Sequence, residues 1–303
     1  MRYRPLGNTG FKVSEIGLGC ASWWGQTQFS EKEAHRLVHA ALDQGVTLFD
    51  TGASYSRGNA EPRLGRALKG RQIDHLVIAT KAGTRFQSGR IVRDMSALAI
   101  EASILTSLRT LGLESLPLLQ LHGPSREELT EQFVAALQNL KSRGLVRALG
   151  LNSFDPLVIK HAITLPSFDV VMIDYNVLRP ERATLVSSAA AAGKGVLAGM
   201  ALAMGHTSQK TLKLPAVRDV WYALRSFKNH RSDIAKGAKF GFLSELADIT
   251  GPQAALAYVL DHPGVSAAVI GTTRMAHLTE NLGASGATLA PEVLAEISRV
   301  QQL

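Results

Sequence analysis

The sequence of 303 residues has only one cysteine, Cys20, and its aromatic residues amount to 6% of the chain. A single cysteine excludes an intramolecular disulfide and a metal site built on several cysteines. It suits a protein of a reducing compartment, where thiols stay reduced. We interpret Cys20 as a small buried residue in preference to a reactive thiol.

Long apolar runs and metal-binding motifs are also missing. The first ten residues, MRYRPLGNTG, contain no apolar signal core, and no apolar run reaches the roughly 20 residues of a membrane span. The histidines do not follow the spacing of a zinc motif. We therefore expect a soluble cytoplasmic protein without a membrane partner and without a metal site.

Charged residues are sparse at 19% of the chain, although the formal net charge is +8. The densest basic region, residues 210–239, holds eight Lys and Arg residues against Asp219 and Asp233. We interpret this region as a solvated loop. The alternatives are a positive field that attracts an anionic cofactor or substrate and, less favoured, a nucleic-acid contact. Because the basic residues elsewhere are dispersed, we expect no nucleic-acid partner.

The chain does contain a regular alternation of short apolar runs and helical periodicity. The candidate strands are residues 15–18, 47–49, 76–79, 116–121, 146–151, 170–173, 196–198 and 267–270. Several are apolar throughout, which is typical of strands buried on both faces. Helical periodicity fills the intervals, for example over residues 34–42. Ser30 with Glu33, and Ser125 with Glu128, predict capping boxes at helix starts.

Strands separated by helices predict parallel pairing, because a parallel neighbour requires a crossover connection. Eight such units predict an α/β fold, a (β/α)8 TIM barrel formed as a single domain over residues 1–303. A doubly wound open sheet is the competing architecture. Residues 2–13, with a turn at Asn8-Thr9-Gly10, predict an N-terminal β-hairpin. Residues 205–250 predict an extended loop after strand 7 that contains extra helix.

Four polar residues lie at or just after successive strand ends. Asp50 and Tyr55 follow strand 2, Lys81 follows strand 3, and His122 follows strand 4. Since active sites of such barrels lie at the carboxyl ends of the strands, we expect these side chains to meet. Taken one at a time, these residues have structural explanations: Asp50 and Lys81 as an ion pair, Tyr55 as a loop residue, and His122 as a core histidine. Together they favour a site in which Lys81 lowers the pKa of Tyr55 enough for proton transfer to a carbonyl.

Four separated motifs, in this order, closely resemble those of the aldo-keto reductases: Leu6-Gly7-x-Thr9-Gly10-x-x-Val13-Ser14, Phe49-Asp50-Thr51-x-x-x-Tyr55, Ala79-Thr80-Lys81 and Leu121-His122. The resemblance implies an enzyme that reduces aldehyde or ketone carbonyls with a nicotinamide cofactor. It implies that Tyr55 is the general acid, assisted by Lys81 and Asp50, and that His122 orients the substrate. The family's Tyr-x5-Glu pattern is also present, with Glu61 after Tyr55.

By the same resemblance, cofactor contacts fall after strands 5 and 8. Asn152-Ser153 stands where the family usually has Ser-Asn against the nicotinamide carboxamide. The segment after strand 8 is implied to bind the adenosine end through Gly271, Thr272, Thr273, Arg274, His277, Glu280 and Asn281. The chain departs from the family at strands 6 and 7, where Met172 and Gly199 replace a usual glutamine and a usual stacking aromatic.

The preferred cofactor is predicted from Arg274. Family members that prefer NADP often carry lysine and arginine at the positions of Gly271 and His277, and Arg274 could supply one of these charges, because a guanidinium matches a phosphate. We favour NADP and keep NAD as the alternative. The other interpretation of Arg274 is a solvated helix cap.

Two further interpretations remain open. Trp23 and Trp24, in the first βα loop, either line the substrate pocket, as we favour, or pack the loop. The residues Met172 and Gly199 motivate an alternative function, a cofactor-binding regulatory or redox-sensing subunit with little turnover.

Overall fold

A computed structural model describes residues 1–205 and 231–303, and eight of its strands form a closed parallel barrel. The barrel strands are β3 (Ile16–Gly19), β4 (Leu48–Asp50), β5 (Val77–Ala82), β8 (Leu116–His122), β9 (Val146–Asn152), β10 (Val170–Ile173), β11 (Gly195–Ala198) and β12 (Ala267–Ile270). Each strand overlaps one of the eight predicted runs. Strand β12 pairs with β3, which closes the barrel. The predicted (β/α)8 barrel is confirmed, and the open sheet is excluded.

Helices surround the barrel. Those of the described residues are α1 (Glu31–Asp43), α2 (Ala60–Leu68), α3 (Ala97–Leu111), α4 (Glu131–Ser142), α5 (Pro156–Thr164), α6 (Ala183–Ala191), α7 (Arg231–Ala238), α8 (Gly251–Asp261), α9 (Met275–Leu282) and α10 (Pro291–Gln301). The Ser30 side chain accepts from the Glu33 N–H at the start of α1, as one half of the predicted capping box requires.

The second predicted helix start is wrong. The Glu128 carboxylate does accept the Ser125 N–H at 2.7 Å, but α4 begins six residues after Ser125, at Glu131. Its cap is Thr130, whose backbone is extended and whose side-chain oxygen accepts the Phe133 N–H. The Ser125–Glu128 contact therefore closes a turn ahead of the helix.

Alternate residues of the strands fill the barrel interior. These residues form one apolar cluster, which includes Leu48, Val77, Ala79, Leu118, Ala148, Val170 and Leu197. Side chains of a strand alternate between its faces, so positions two or four residues further on also face the interior, at the carboxyl end of the barrel. The periodicity thus places Asp50, Lys81, Gln120, His122 and Asn152 at this end.

An antiparallel hairpin of β1 (Tyr3–Pro5) and β2 (Lys12–Ser14) closes the opposite end, which confirms the predicted N-terminal hairpin. Its Leu6 and Val13 are fully buried in the interior cluster. Gly7 has φ +53°, and a Cβ there would lie 2.2 Å from the backbone nitrogen of Gly195. The hairpin therefore packs against the barrel at a distance that only glycine allows.

Two insertions decorate the barrel. A second hairpin, β6 (Thr84–Gln87) and β7 (Arg90–Arg93), follows β5 and was not predicted. The connection after β11 contains α7 and a 3-10 turn at Gly241–Ser244, which confirms extra helix in its described part. Residues 206–230, with most of the basic region, lie outside the described residues.

Within the two described ranges, no helix combines the length and the apolar character that crossing a bilayer requires.

Candidate active site

Asp50 and Lys81 form a buried ion pair at the carboxyl end of the barrel. The Lys81 side chain has no exposed surface, and its Nζ lies 2.6 Å from each carboxylate oxygen of Asp50. Nζ also donates to the Thr51 carbonyl at 2.9 Å, so all three of its protons have acceptors. Burial alone lowers the pKa of Lys81, but the Asp50 carboxylate and the Tyr55 hydroxyl raise it more, so the net pKa lies above the usual value. Lys81 is a cation at neutral pH.

Tyr55 lies in the loop after β4, directly over this cation. The Nζ of Lys81 is 4.7 Å from the centroid of the Tyr55 ring. Tyr55 begins a 3-10 turn, Tyr55–Gly58, in which Ser56 and Arg57 both have positive φ values. Positive φ is costly for residues other than glycine and is concentrated at functional sites. The turn directs the ring toward Lys81 and holds Ser56 and Arg57 in a strained backbone conformation.

His122 ends β8 and faces Tyr55. The two ring centroids lie 5.4 Å apart at an interplanar angle of 85°. Burial, and then the positive charge of Lys81, lower the pKa of His122 to about 4. The imidazole is therefore neutral at physiological pH, and one of its nitrogens carries a proton that it can donate. The structure thus brings together the four residues Asp50, Tyr55, Lys81 and His122.

Gln120 also belongs to this group, although we did not predict it. Its Nε2 donates to Asp50 at 2.9 Å, and its Oε1 has no hydrogen-bond partner among the described residues. Gln120 lies two residues before His122 in an otherwise apolar strand. That spacing places both on the interior face, so the period of two could have revealed it.

Thr84 and Ser54 form a second contact that we did not predict. The Thr84 hydroxyl lies 2.6 Å from Nδ1 of His122 and 2.9 Å from the Ser54 hydroxyl. Thr84 begins β6, in the unpredicted hairpin, and no local pattern indicates that this hairpin reaches His122.

Glu61 is buried beneath the group, on α2. Its carboxylate accepts hydrogen bonds from Thr80 and from Ser107, the latter at 2.7 Å. Burial raises the pKa of Glu61, and the two hydroxyls and Lys81 offset this only in part. Glu61 therefore ties α2 to β5 and α3, behind the strand that carries Lys81.

Asn152 and Ser153 differ in their directions. Asn152 follows Ala148 and Gly150 on the interior face of β9, and its side-chain amide has no partner among the described residues. The Ser153 oxygen instead accepts the Asp155 N–H at 3.1 Å, in the turn that leads into α5. Asn152 therefore places an amide donor and acceptor at the barrel mouth, whereas Ser153 shapes the loop.

The predicted adenosine segment surrounds the start of α9. Gly271 is exposed, and of the described atoms a Cβ there would meet only the Gly19 carbonyl, at 3.7 Å. The Thr272 hydroxyl accepts the Arg274 N–H at 3.1 Å, and Arg274 is the N-cap residue of α9, although its side chain does not accept a helix N–H. Thr273, Arg274 and Glu280 are half-buried, His277 is exposed, and Thr272 and Asn281 are buried. This segment lies at the same end of the barrel as Asn152, three strands around it.

Met172 and Gly199 complement each other. A Cβ on Gly199 would lie 3.3 Å from Cγ and 3.4 Å from Sδ of Met172. The methionine therefore packs directly against position 199 beside the barrel mouth, and a side chain there would require it to shift by a few tenths of an ångström.

The two tryptophans have different environments. Trp24 is 1% exposed, its indole N–H donates to the Ala34 carbonyl at 3.3 Å, and the guanidinium of Arg63 lies 6.0 Å from its ring. It packs the loop and offers no surface to a pocket, because its ring is enclosed between the loop and the helices. Trp23 is half-buried and remains a candidate for the pocket.

Cys20 is fully buried, and burial followed by the nearby Asp50 charge raises the pKa of its thiol. In residues 1–205 and 231–303, no group of three or more acidic, histidine or cysteine side chains is placed to hold a metal ion.

Comparison with known proteins identifies one family along nearly the whole chain. The sequence model of the Aldo/keto reductase family matches residues 15–302. The uncharacterized oxidoreductase YqkF of Bacillus subtilis is 27% identical over 299 residues, 95% of this chain and 92% of that protein. D-threo-aldose 1-dehydrogenase of a Pseudomonas species is 27% identical over 319 residues, 96% of this chain and 95% of that protein.

The fold agrees with the sequence comparison. A solved aldo-keto reductase from Bacillus halodurans, in its holo form, superposes with a TM-score of 0.82 at 28% identity, covering 99% of this chain and 96% of that one. Since the match spans the barrel from its first strand to its last helix, the chain belongs to the aldo/keto reductase family of oxidoreductases.

Proposed function

We propose that the protein reduces aldehyde or ketone carbonyls to alcohols, with Tyr55 as the general acid and a nicotinamide cofactor as the reductant. The observation that carries this proposal is the fully buried Lys81 cation. It is held by both oxygens of Asp50 and lies 4.7 Å from the Tyr55 ring centroid. An ion pair with a purely structural role does not require a tyrosine held against it by strained backbone, whereas strain of this kind is concentrated at functional sites.

The proposed chemistry follows from the charges of these residues. A nicotinamide held at the barrel mouth would supply the hydride for the carbonyl carbon. Tyr55 donates its phenolic proton to the carbonyl oxygen, and the Lys81 cation stabilises the phenolate that remains. Asp50 keeps Lys81 charged and in place. Neutral His122 donates a hydrogen bond to the same oxygen, which orients the carbonyl.

The residues at the barrel mouth fit a nicotinamide dinucleotide. Asn152 ends β9 on its interior face, and its side-chain amide, which makes no hydrogen bond within residues 1–205 and 231–303, suits a carboxamide. Gly271 leaves open space, and the start of α9 lacks a side-chain cap, so its N–H groups suit the phosphate end. Asn152 would hold the nicotinamide, with Ser153 shaping its loop. Thr272, Thr273, Arg274, His277, Glu280 and Asn281 would hold the adenosine end.

We propose NADP as the preferred cofactor because Arg274 stands at the cap of α9. NAD is the alternative. The substrate is proposed to be a small carbonyl compound, for which Trp23 would line the pocket. Because one relative is named as an aldose dehydrogenase, sugar aldehydes come first in a screen. A cytoplasmic location is proposed from the single cysteine.

The decisive experiment replaces the general acid. Tyr55→Phe removes one oxygen, and we expect the rate of carbonyl reduction to fall about 10²- to 10⁴-fold. Cofactor affinity should change little. The matched control is Tyr3→Phe, in the hairpin at the opposite end, where the hydroxyl donates to the Gly45 carbonyl at 3.0 Å, far from the proposed site. The rates of both variants are measured as the consumption of NADPH with a panel of aldehydes. An unchanged rate in Tyr55→Phe would refute the mechanism.

A cofactor-binding subunit with little turnover is the second candidate, and Met172 is the observation that favours it. Its side chain packs beside Gly199, where the family usually has a stacking aromatic. Titration of tryptophan fluorescence with NADPH and with NADH separates the possibilities. Tight binding without turnover of any carbonyl supports the subunit, and no binding of either cofactor contradicts both candidates.

A further inference from the structure

His122 is connected to a short chain of two hydroxyl groups. Its Nδ1 lies 2.6 Å from the Thr84 hydroxyl, which lies 2.9 Å from the Ser54 hydroxyl. Ser54 is buried in the loop before Tyr55, and Thr84 is half-buried at the start of β6. The chain thus joins the general-acid loop, the hairpin insertion and the substrate-orienting histidine.

The contact with Thr84 involves Nδ1 of His122 and does not involve Nε2. In residues 1–205 and 231–303, Nε2 of His122 has no hydrogen-bond partner. A neutral imidazole carries one proton, so one nitrogen donates and the other accepts. The hydroxyl chain can run in either direction, because each hydroxyl both donates and accepts. The direction of the chain therefore determines which nitrogen of His122 is protonated.

The chemistry of a carbonyl substrate selects between the two directions. A carbonyl oxygen accepts hydrogen bonds and donates none. If Nδ1 carried the proton, the lone pair of Nε2 would face the substrate oxygen and repel it. If Nε2 carries the proton, it donates to the carbonyl, and Nδ1 must then accept from Thr84. Among the described residues, Tyr55 contacts the ring and the charge of Lys81 acts on it, while the hydrogen bond to Nδ1 is made by Thr84.

We propose that Ser54 and Thr84 form a directional relay that holds His122 as the Nε2–H tautomer. The Ser54 hydroxyl donates to Thr84, and the Thr84 hydroxyl donates to Nδ1. Thr84 and Ser54 are then positioning residues, which act on the substrate only through His122. The inference rests on the proposed carbonyl reduction for its choice of direction. It gives the β6–β7 hairpin a role in the site.

The tautomer can be measured without any substrate. Nitrogen-15 NMR of the histidine rings distinguishes a protonated nitrogen from an unprotonated one, and the signals missing from His122→Gln identify His122 among the nine histidines. At neutral pH we expect Nε2–H in the wild type and in Thr84→Ser, which keeps the hydroxyl. We expect a mixture of tautomers in Thr84→Val. A wild-type ring protonated at Nδ1 would overturn the relay without recourse to a variant.

Kinetics provide the second readout. Thr84→Val should lower kcat about tenfold, the rate equivalent of one neutral hydrogen bond, and Thr84→Ser should stay within about twofold of the wild type. Thr106→Val, on the exposed face of α3, is the matched control. If Thr84→Val fails to fold, Ser54→Ala tests the same chain from its other end. Equal spectra and equal kcat in wild type and variant contradict the relay.

The relay and the proposed function fail separately. If no carbonyl is reduced by the wild type, the proposed function is wrong, and the NMR spectrum still decides the tautomer. If carbonyls are reduced and the ring is protonated at Nδ1, the function stands and the relay is wrong.

Discussion

At the scale of single residues, the pair Asp50–Lys81 places a full positive charge where water does not reach. Removing such a charge from water costs several kcal/mol, which only close opposite charge and saturated hydrogen bonding repay. The 2.6 Å contacts to both Asp50 oxygens and the 2.9 Å contact to the Thr51 carbonyl supply these. The stability of the barrel mouth therefore depends on the same atoms as the proposed acidity of Tyr55.

Breaking this pair on one side should cost more than removing it. Asp50→Asn leaves the Lys81 cation without its counter-charge, and we expect the free energy of unfolding to fall by about 3 kcal/mol. Asp50→Asn combined with Lys81→Met removes both charges and should recover part of that loss. Urea denaturation of the two single variants and the double variant forms the test cycle. Additive losses would show that the ion pair contributes no coupling energy.

His122 should make the protein less stable in mild acid. Its pKa is about 4 in the folded chain, below the usual 6.5, so the unfolded chain takes up a proton first as pH falls. The stability that this neutral histidine confers is complete above pH 6.5. It is lost as pH falls toward 4, by about 3 kcal/mol.

The measurement compares the wild type with His122→Gln by urea unfolding at several values between pH 7 and pH 4.5. The variant should lose less stability over this interval than the wild type does. The exposed His75→Gln controls for the substitution itself. Parallel curves for the wild type and His122→Gln would contradict the pKa assignment.

At the scale of elements, the strained backbone is concentrated on one end of the barrel. Among residues 1–205 and 231–303, those other than glycine with positive φ are Ser22, Ser56, Arg57, Ser88, Met200 and Ala203, and all but Ser88, in the β6–β7 turn, lie in loops directly after barrel strands. The Ser56 hydroxyl donates to the Ser22 carbonyl at 2.7 Å, which links the loops after the neighbouring strands β3 and β4. The strain is held by contacts between loops, as expected where loop geometry serves a site.

The opposite end depends on close packing of the hairpin. Gly7→Ala would place a Cβ 2.2 Å from the Gly195 nitrogen, in a backbone that glycine alone adopts cheaply. Gly112→Ala, at φ +70° with open space around it, should cost about 1 kcal/mol. Gly7→Ala should cost at least about 2 kcal/mol more. Thermal and urea unfolding measure the difference, and equal losses would mean that the hairpin is loosely attached.

At the scale of the whole molecule, closure of the barrel joins the first barrel strand to the last. Because β3 pairs with β12, unfolding of either end opens the whole sheet. We predict that the chain unfolds as a single domain in one cooperative transition.

Cofactor binding should shift this transition as a whole. At a hundred times its Kd, NADPH should raise the free energy of unfolding by about 2.7 kcal/mol. Arg274→Ala should reduce the shift for NADPH and leave that for NADH nearly unchanged. Lys12→Ala removes the same charge at the far end and is the control. If Arg274→Ala reduced the stability shift equally for NADPH and NADH, the assignment of Arg274 to the phosphate of NADP would be refuted.

The sequence by itself determined the strands, the barrel and four residues of the site. Hydrophobic periodicity is a local property, so the eight runs and their polar ends could be recognised without knowing any contact. That Asp50, Tyr55, Lys81 and His122 lie close together then followed from a rule of the fold, because parallel strands place their carboxyl ends at the same end of the barrel.

Only the tertiary structure decided which other side chains join them. The contact of Gln120 with Asp50 spans 70 positions, and that of Thr84 with His122 spans 38. Enclosure of Trp24 likewise depends on α1 and Arg63. These contacts arise from the register of the closed barrel and from the path of the loops. No short stretch of sequence carries that information, since each contact exists only once the distant strands and helices have packed.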